Sequence, residues 1–176
     1  MIKALLGLTL VARCLANPLP GQPQVLAAYE KARVAARLHF VEGLLAIRAA
    51  DFQAITRQGQ RIDLAAERLR YASLFSDALR VRLVHQLGPF RAEGRGLRCT
   101  AEHRLLVEKF DAASRKLYTL ETRMKSEDYW VETHTGWRMS RCVVSWQGRS
   151  QGPPMEPDLT DQDMLGRARR ADGRRP

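Results

Sequence analysis

The chain has 176 residues, with 29 Lys+Arg against 19 Asp+Glu for a net charge of +10; it is 45% hydrophobic, 27% charged and 7% aromatic. That length suits one domain able to bury a core without staples, and the apolar fraction excludes a wholly disordered chain. Three cysteines are too few for a disulfide scaffold, and no apolar run reaches the roughly 18 residues that span a bilayer. Arg supplies 24 of the cations and Lys only 5. Either a GC-rich genome or an anionic partner accounts for such a bias.

Lys3 precedes an apolar stretch from Ala4 to Ala12, followed by Arg13-Cys14-Leu15-Ala16. A positive start, a short apolar region and a small residue at the cleavage site read as a signal peptide over 1–16. The expected location is then periplasmic or secreted. An uncleaved amphipathic N-terminus in a cytoplasmic protein is the alternative. Arg13 stands where a lipoprotein cysteine would need a small residue, so Cys14 is not read as lipidated. Residues 17–24, with Pro18 and Pro20, read as an extended linker. Cleavage would remove two cations and leave Cys99 and Cys142 as the only thiols.

The fold proper is expected over 25–147. From Val25 to Ala50 the chain is rich in Ala, Leu, Arg and Glu. Leu26, Tyr29, Val34, Leu38, Val41, Leu45 and Ile47 recur at helical spacing, with a drift at His39-Phe40. One helix or two are expected there, ending at Asp51-Phe52. Gln58-Gly59-Gln60 is a turn signal. Asp63 suits the N-cap of a helix from Leu64 to about Asp77, with Leu69, Ala72, Leu74 and Phe75 inward.

Beyond Leu79 the period changes from helix to strand. Val81, Leu83, His85 and Leu87 alternate with Arg82, Val84 and Gln86, and Leu97, Cys99, Ala101, His103, Leu105 and Val107 share one face of the next strand opposite Arg98, Thr100, Glu102, Arg104 and Glu108. Leu117 to Thr133 reads as a third strand, with Thr119, Glu121, Arg123 and Lys125 on its wet face. His134-Thr135-Gly136 is a hairpin turn leading to a last strand, Trp137 to Trp146. Such alternation implies an antiparallel sheet covered on one side. From Gly148 the composition turns to Gly, Pro, Gln, Asp and Arg, and 148–176 reads as a disordered Arg-rich tail.

Helices followed by an antiparallel meander describe an α+β fold. Asp51-Phe52, Gly59 and its following helix, Tyr129-Trp130-Val131 and Gly136-Trp137-Arg138 resemble the nuclear transport factor 2-like superfamily, in particular its SnoaL-like and uncharacterised bacterial members. The resemblance covers about Val25 to Gln147. It implies a cystatin-like cone in which N-terminal helices pack on a curved sheet and close a pocket. It implies nothing specific about activity, because relatives include isomerases, dehydratases, hydrolases and plain binding modules. Phe52, Trp130 and Trp137 match structural positions, and no relative's catalytic residue falls on a matching position.

The candidate chemistry comes from strand parity. A hairpin centred near Gly94 sets His85 opposite His103, close enough for an acid–base pair or a shared metal. No third ligand is evident, so no metal is expected, and no cofactor either. Two histidines hydrogen-bonded to their neighbours are the plainer alternative. Asp128 shares a face with Tyr118, Met124 and Trp130 and is expected to pair across the hairpin with Arg141. It is either the general base of an enzyme, with His103 and His85 assisting, or half of a structural ion pair. Tyr118, Met124, Trp130 and Phe52 are the expected pocket lining. Cys99 and Cys142 are expected on opposite faces, two strands apart, as free thiols.

The sheet arginines Arg98, Arg104, Arg123 and Arg138 interleave with Glu102, Glu108, Glu121 and Glu127. That is a mixed solvated face, so no nucleic-acid partner is expected. Three functions remain open. One is a protein binding a small apolar or amphipathic ligand, or a protein partner, without turnover. Another is a SnoaL-like isomerase, dehydratase or hydrolase. The third is an interaction module that forms a homodimer through its sheet.

Overall fold

The structure is a computed structural model and describes residues 18–156. The signal peptide read over 1–16 and the tail beyond 156 lie outside the described residues. Helix α1 spans Gln22–Arg37 with a proline in its first turn, so it begins inside the stretch read as linker. It buries Val25, Ala28, Tyr29, Ala32, Ala35 and Ala36. Leu26, Val34 and Leu38 of the expected stripe are exposed. Both stripes have helical spacing. The small-residue one lets the helix lie close on the sheet and sinks the single large side chain, Tyr29, into it.

The backbone reverses at His39, whose φ is 55°, and the short helix α2 covers Val41–Leu45. Next comes strand β1, Arg48–Ile55, so Asp51-Phe52 lies within a strand and does not close a helix. Helix propensity is overridden here by burial of Ala49, Phe52 and Ala54 and by pairing with a neighbouring strand. A turn with Gly59 at φ 79° returns the chain to β2, Arg61–Asp63. Helix α3, Leu64–Phe75, starts where the sequence placed it, with the Asp63 carboxylate accepting from the Ala66 amide at 2.8 Å. Asp63→Ala is expected to cost about 1 kcal/mol in a urea melt. The inward face of α3 carries Glu67, Tyr71 and Phe75, while Leu69 is 73% exposed and Ala72 is exposed. The helix covers a polar side chain of β1, described below, and turns Glu67 and Tyr71 toward it.

Four long strands follow: β3 Arg80–Glu93, β4 Gly96–Asp111, β5 Lys116–Thr133 and β6 Gly136–Gly152. The sheet order is β2-β1-β6-β5-β4-β3. All pairs are antiparallel except β1–β6, which is parallel and absent from the sequence reading. β6 also runs six residues past Trp146, so the start of the expected tail is strand. Beyond it Met155 is buried, its amide donating to Glu108 Oε1 at 2.9 Å and its carbonyl accepting from Arg80 at 2.5 Å. Glu108 is therefore buried, against its expected place on the wet face, and so is Thr119.

Two irregularities set the register. In β3, Leu87 faces Ala101 and Phe90 faces Cys99, so Gly88 and Pro89 together oppose Thr100. A Cβ on Gly88 would stand 2.1 Å from Thr100 Oγ1. In β6, Trp130 faces Met139 while Tyr129 faces Arg141, leaving Ser140 as an extra residue. A second extra residue, Ser145, follows the same pattern. Each serine hydroxyl donates to a β5 carbonyl, Ser140 to Tyr129 at 3.3 Å and Ser145 to Lys125 at 3.2 Å.

Candidate functional site

His85 and His103 are direct cross-strand partners, as the hairpin arithmetic expects. The turn itself is centred half a residue further on, between Gly94 and Arg95, and the bulge at Gly88-Pro89 offsets the difference. The two Nδ1 atoms lie 2.7 Å apart, a hydrogen bond. Two nitrogens bound to one zinc at about 2.0–2.1 Å would stand about 3.3 Å apart, so this contact is not that of a shared ion.

Asp128 does not meet Arg141. The Ser140 bulge places it opposite Cys142, and Arg141 turns to the other face to lie 4.0 Å from the centre of the Tyr129 ring. Asp128 is 0% exposed. Its Oδ2 accepts from Tyr29 at 2.6 Å and lies 3.1 Å from His103 Nε2. Its Oδ1 accepts from Ser126 at 2.7 Å. Burial alone would raise its pKa, but the bonds from His103, Tyr29 and Ser126 outweigh that and hold it below the usual value. Asp128 thus holds three hydrogen-bond partners, has no exposed surface and is not among the residues that line the cavity described below.

These bonds fix the protons. The Asp128 carboxylate can only accept, so His103 Nε2 carries a hydrogen. In neutral His103, Nδ1 is then the acceptor, and the bond at 2.7 Å comes from His85 Nδ1–H. His85 Nε2 is left as a lone pair. That atom is buried and has no partner. Burial first, then the neighbouring His103, push the His85 pKa down to about 3. His85 is neutral at ordinary pH.

Tyr29 closes the group from α1. It accepts from Trp130 Nε1 at 3.3 Å, and its hydroxyl lies 3.6 Å from Cys99 Sγ. Burial, then the charge of Asp128, raise its pKa well above the usual value. Cys99 and Cys142 both stand opposite Asp128, one on each neighbouring strand, and so share a face. The expected opposite faces fail because Ser140 shifts the parity. Both thiols are free and buried, with β5 between them. Burial pushes Cys99 up to about 11.

A cavity opens between the helices and the concave sheet. Tyr29, His85 and His103 line one part of it, and Arg48, Glu67, Arg70 and Tyr71 another. Leu44, Phe52, Leu83, Leu105, Met124 and Met139 are among the apolar residues between them. About 70 Å³ is free for the centres of water-sized molecules. One water needs about 10–15 Å³ on that measure, so the space suits one small ring or short chain. Of the expected lining, Phe52 and Met124 are present. Trp130 is buried behind Tyr29, and Tyr118 lies outside the cavity.

The sequence reading missed Tyr29 and Arg48. By spacing alone Tyr29 is one residue of a helix stripe, and Arg48 lies in a segment whose composition reads as helix. Its cationic head is buried, bonded to Leu44 O at 3.0 Å and paired with Glu67 at 2.6 Å. On the outer sheet face, Arg104 and Arg123 share Glu121, and Arg98 lies between Glu93 and Glu127. Among the described residues no helix is long and apolar enough to cross a membrane.

No family model and no curated protein matches the sequence. Solved structures do match. A domain of unknown function with a cystatin-like fold from Nostoc punctiforme is 14% identical, over 89% of this chain and 94% of its own, with a TM-score of 0.53. An NTF2-like protein from Cytophaga hutchinsonii is also 14% identical, over 69% and 94%, with a TM-score of 0.50. A protein from Novosphingobium aromaticivorans, provisionally named a scytalone dehydratase, is 10% identical over 76% and 93%, with a TM-score of 0.52. Identities this low speak to fold alone.

Proposed function

We propose that this chain, whose fold is that of the nuclear transport factor 2-like superfamily, binds a small, largely apolar molecule in its cone and transfers a proton on it. The observation that carries this reading is the unpartnered His85 Nε2 at the end of the Asp128–His103–His85 chain. A buried acceptor without a partner is costly, and a ligand C–H or O–H would supply the missing hydrogen.

The base is then His85 and not Asp128. His85 Nε2 takes the substrate proton while the Nδ1 hydrogen passes to His103 Nδ1. His85 ends neutral, with a hydrogen on Nε2. The positive charge ends on His103, whose Nε2–H already points at the Asp128 carboxylate. This relay avoids a cationic His85, the form that burial opposes. Running backwards, His85 Nε2–H is an acid. Enolisation, isomerisation and elimination of water all use this pair of steps. The likeness to a protein named for dehydration is consistent with that class. Export, as read from residues 1–16, belongs to the same proposal. N-terminal sequencing of the mature protein checks it, and a start at Met1 overturns it.

The catalytic reading is tested by deuterium exchange at the α-carbon of small enolisable ketones such as cyclopentanone, followed by proton NMR. The protein is expected to accelerate exchange, and His85→Gln to cut the gain about 100-fold with the fold retained. Exchange at the buffer rate would leave a binding protein without turnover.

A further inference from the structure

The second polar part of the cavity has its own unfilled valences. Arg48 on β1 and Arg70 on α3 both line it, with a single carboxylate, Glu67, between them. Glu67 pairs with Arg48 at 2.6 Å and with Arg70 at 3.7 Å. The Arg48 guanidinium lies 5.0 Å from the Phe52 ring centre, and that of Arg70 lies 5.1 Å from Tyr71. Arg48 Nε and Arg70 Nε are both buried and have no hydrogen-bond partner. Two cations thus share one anion beside an apolar cavity, and each keeps a vacant N–H. A buried ion cluster with that imbalance is costly unless a further acceptor completes it.

We infer that the ligand is a small monocarboxylate whose carboxylate docks on Arg48 and Arg70 while its apolar body lies against Phe52, Leu83 and Leu105. A carboxylate is the acceptor that planar guanidinium groups hold best, and one such anion would balance the second cation. The apolar wall and the limited volume exclude a bulky polyanion. The inference rests on the proposed ligand site, and it adds the substrate class. It does not depend on His85 acting as a base.

The test uses the full chain, with benzoate as the probe and benzamide as its neutral isostere, read by titration calorimetry at pH 7. Benzoate is expected to bind at least tenfold more tightly than benzamide. Arg70→Met and Arg48→Met are expected to erase that difference. Arg48 is deeply buried, so Arg48→Lys serves if Arg48→Met fails to fold, and it should weaken benzoate while leaving benzamide unchanged. Equal binding of the two probes, no binding of either, or benzoate affinity unchanged in both Arg70→Met and Arg48→Lys overturns the inference. If benzoate binds through the arginines while ketone exchange stays at the buffer rate, the catalytic reading falls and this inference stands.

Discussion

Asp128→Ala is expected to destabilise the protein by about 3–5 kcal/mol in a urea melt, with an unchanged slope. Three donors converge on this carboxylate: the hydroxyls of Tyr29 and Ser126 and the Nε2–H of His103. Removing it leaves them buried without an acceptor, and each such group costs about 1–3 kcal/mol before relaxation. Tyr29 comes from α1, so the change also loosens the helix from the sheet. A loss under about 1 kcal/mol would mean that the carboxylate does not organise this region. Asp128→Asn separates anchoring from chemistry. The amide keeps the shape but can offer a hydrogen to His103 Nε2. His103 would then hold its hydrogen on Nδ1 and donate it to His85. His85 Nε2 would become an N–H and lose the lone pair. Nitrogen-15 NMR of the imidazoles reads this directly: Nε2 of His85 is expected without hydrogen in the parent and with hydrogen in Asp128→Asn.

Stability is expected to fall steeply as the pH drops from about 6.5 toward 3. In that window an unfolded chain protonates His85, while burial and His103 keep the native residue neutral down to about 3. The unfolded state therefore binds more protons, and stability rises with pH. The full difference is on the order of 5 kcal/mol. Asp128 acts in the same direction but in a lower window. Its native pKa lies below the usual 3.8, so its contribution is lost only as the pH falls beneath that value. Glu30, Glu42, Glu108 and Glu121, each held below its ordinary value first by an arginine partner, act in the same direction at lower pH, so melts between about pH 5.5 and 7 isolate the histidine. His85→Gln should flatten the curve there; an equal slope in parent and variant would show that His85 does not titrate as its burial demands.

Much of this fold can be read from residue periods alone. The alternation that marks β3 to β6 as strands is visible in the residue types, and the cross-strand meeting of His85 and His103 follows from the position of Gly94. Asp63 announces α3 because its side chain competes for a specific amide. Other features depend on distant partners. β1 is composed of helix formers and becomes a strand because β6 offers it a parallel edge. Glu67 and Tyr71 turn inward because Arg48 needs them, and Arg48 is placed by that same strand. At the site, parity identifies the faces, but one extra residue at Ser140 decides whether Asp128 meets Arg141 or Cys142. Its inward partner Tyr29 lies 99 residues away in the chain, beyond any local spacing.

The extra residues at Gly88-Pro89, Ser140 and Ser145 also bear on how sequences with this fold compare. A bulge absorbs one residue without moving the pairs on either side of it. A relative lacking one of these residues could keep every ladder pair, the His85–His103 contact included, yet run one position out of phase along the sequence beyond that point. Homology between such chains would be carried by the pairing of strands, and aligned text would show it only with single gaps inside strands, where gaps are ordinarily refused.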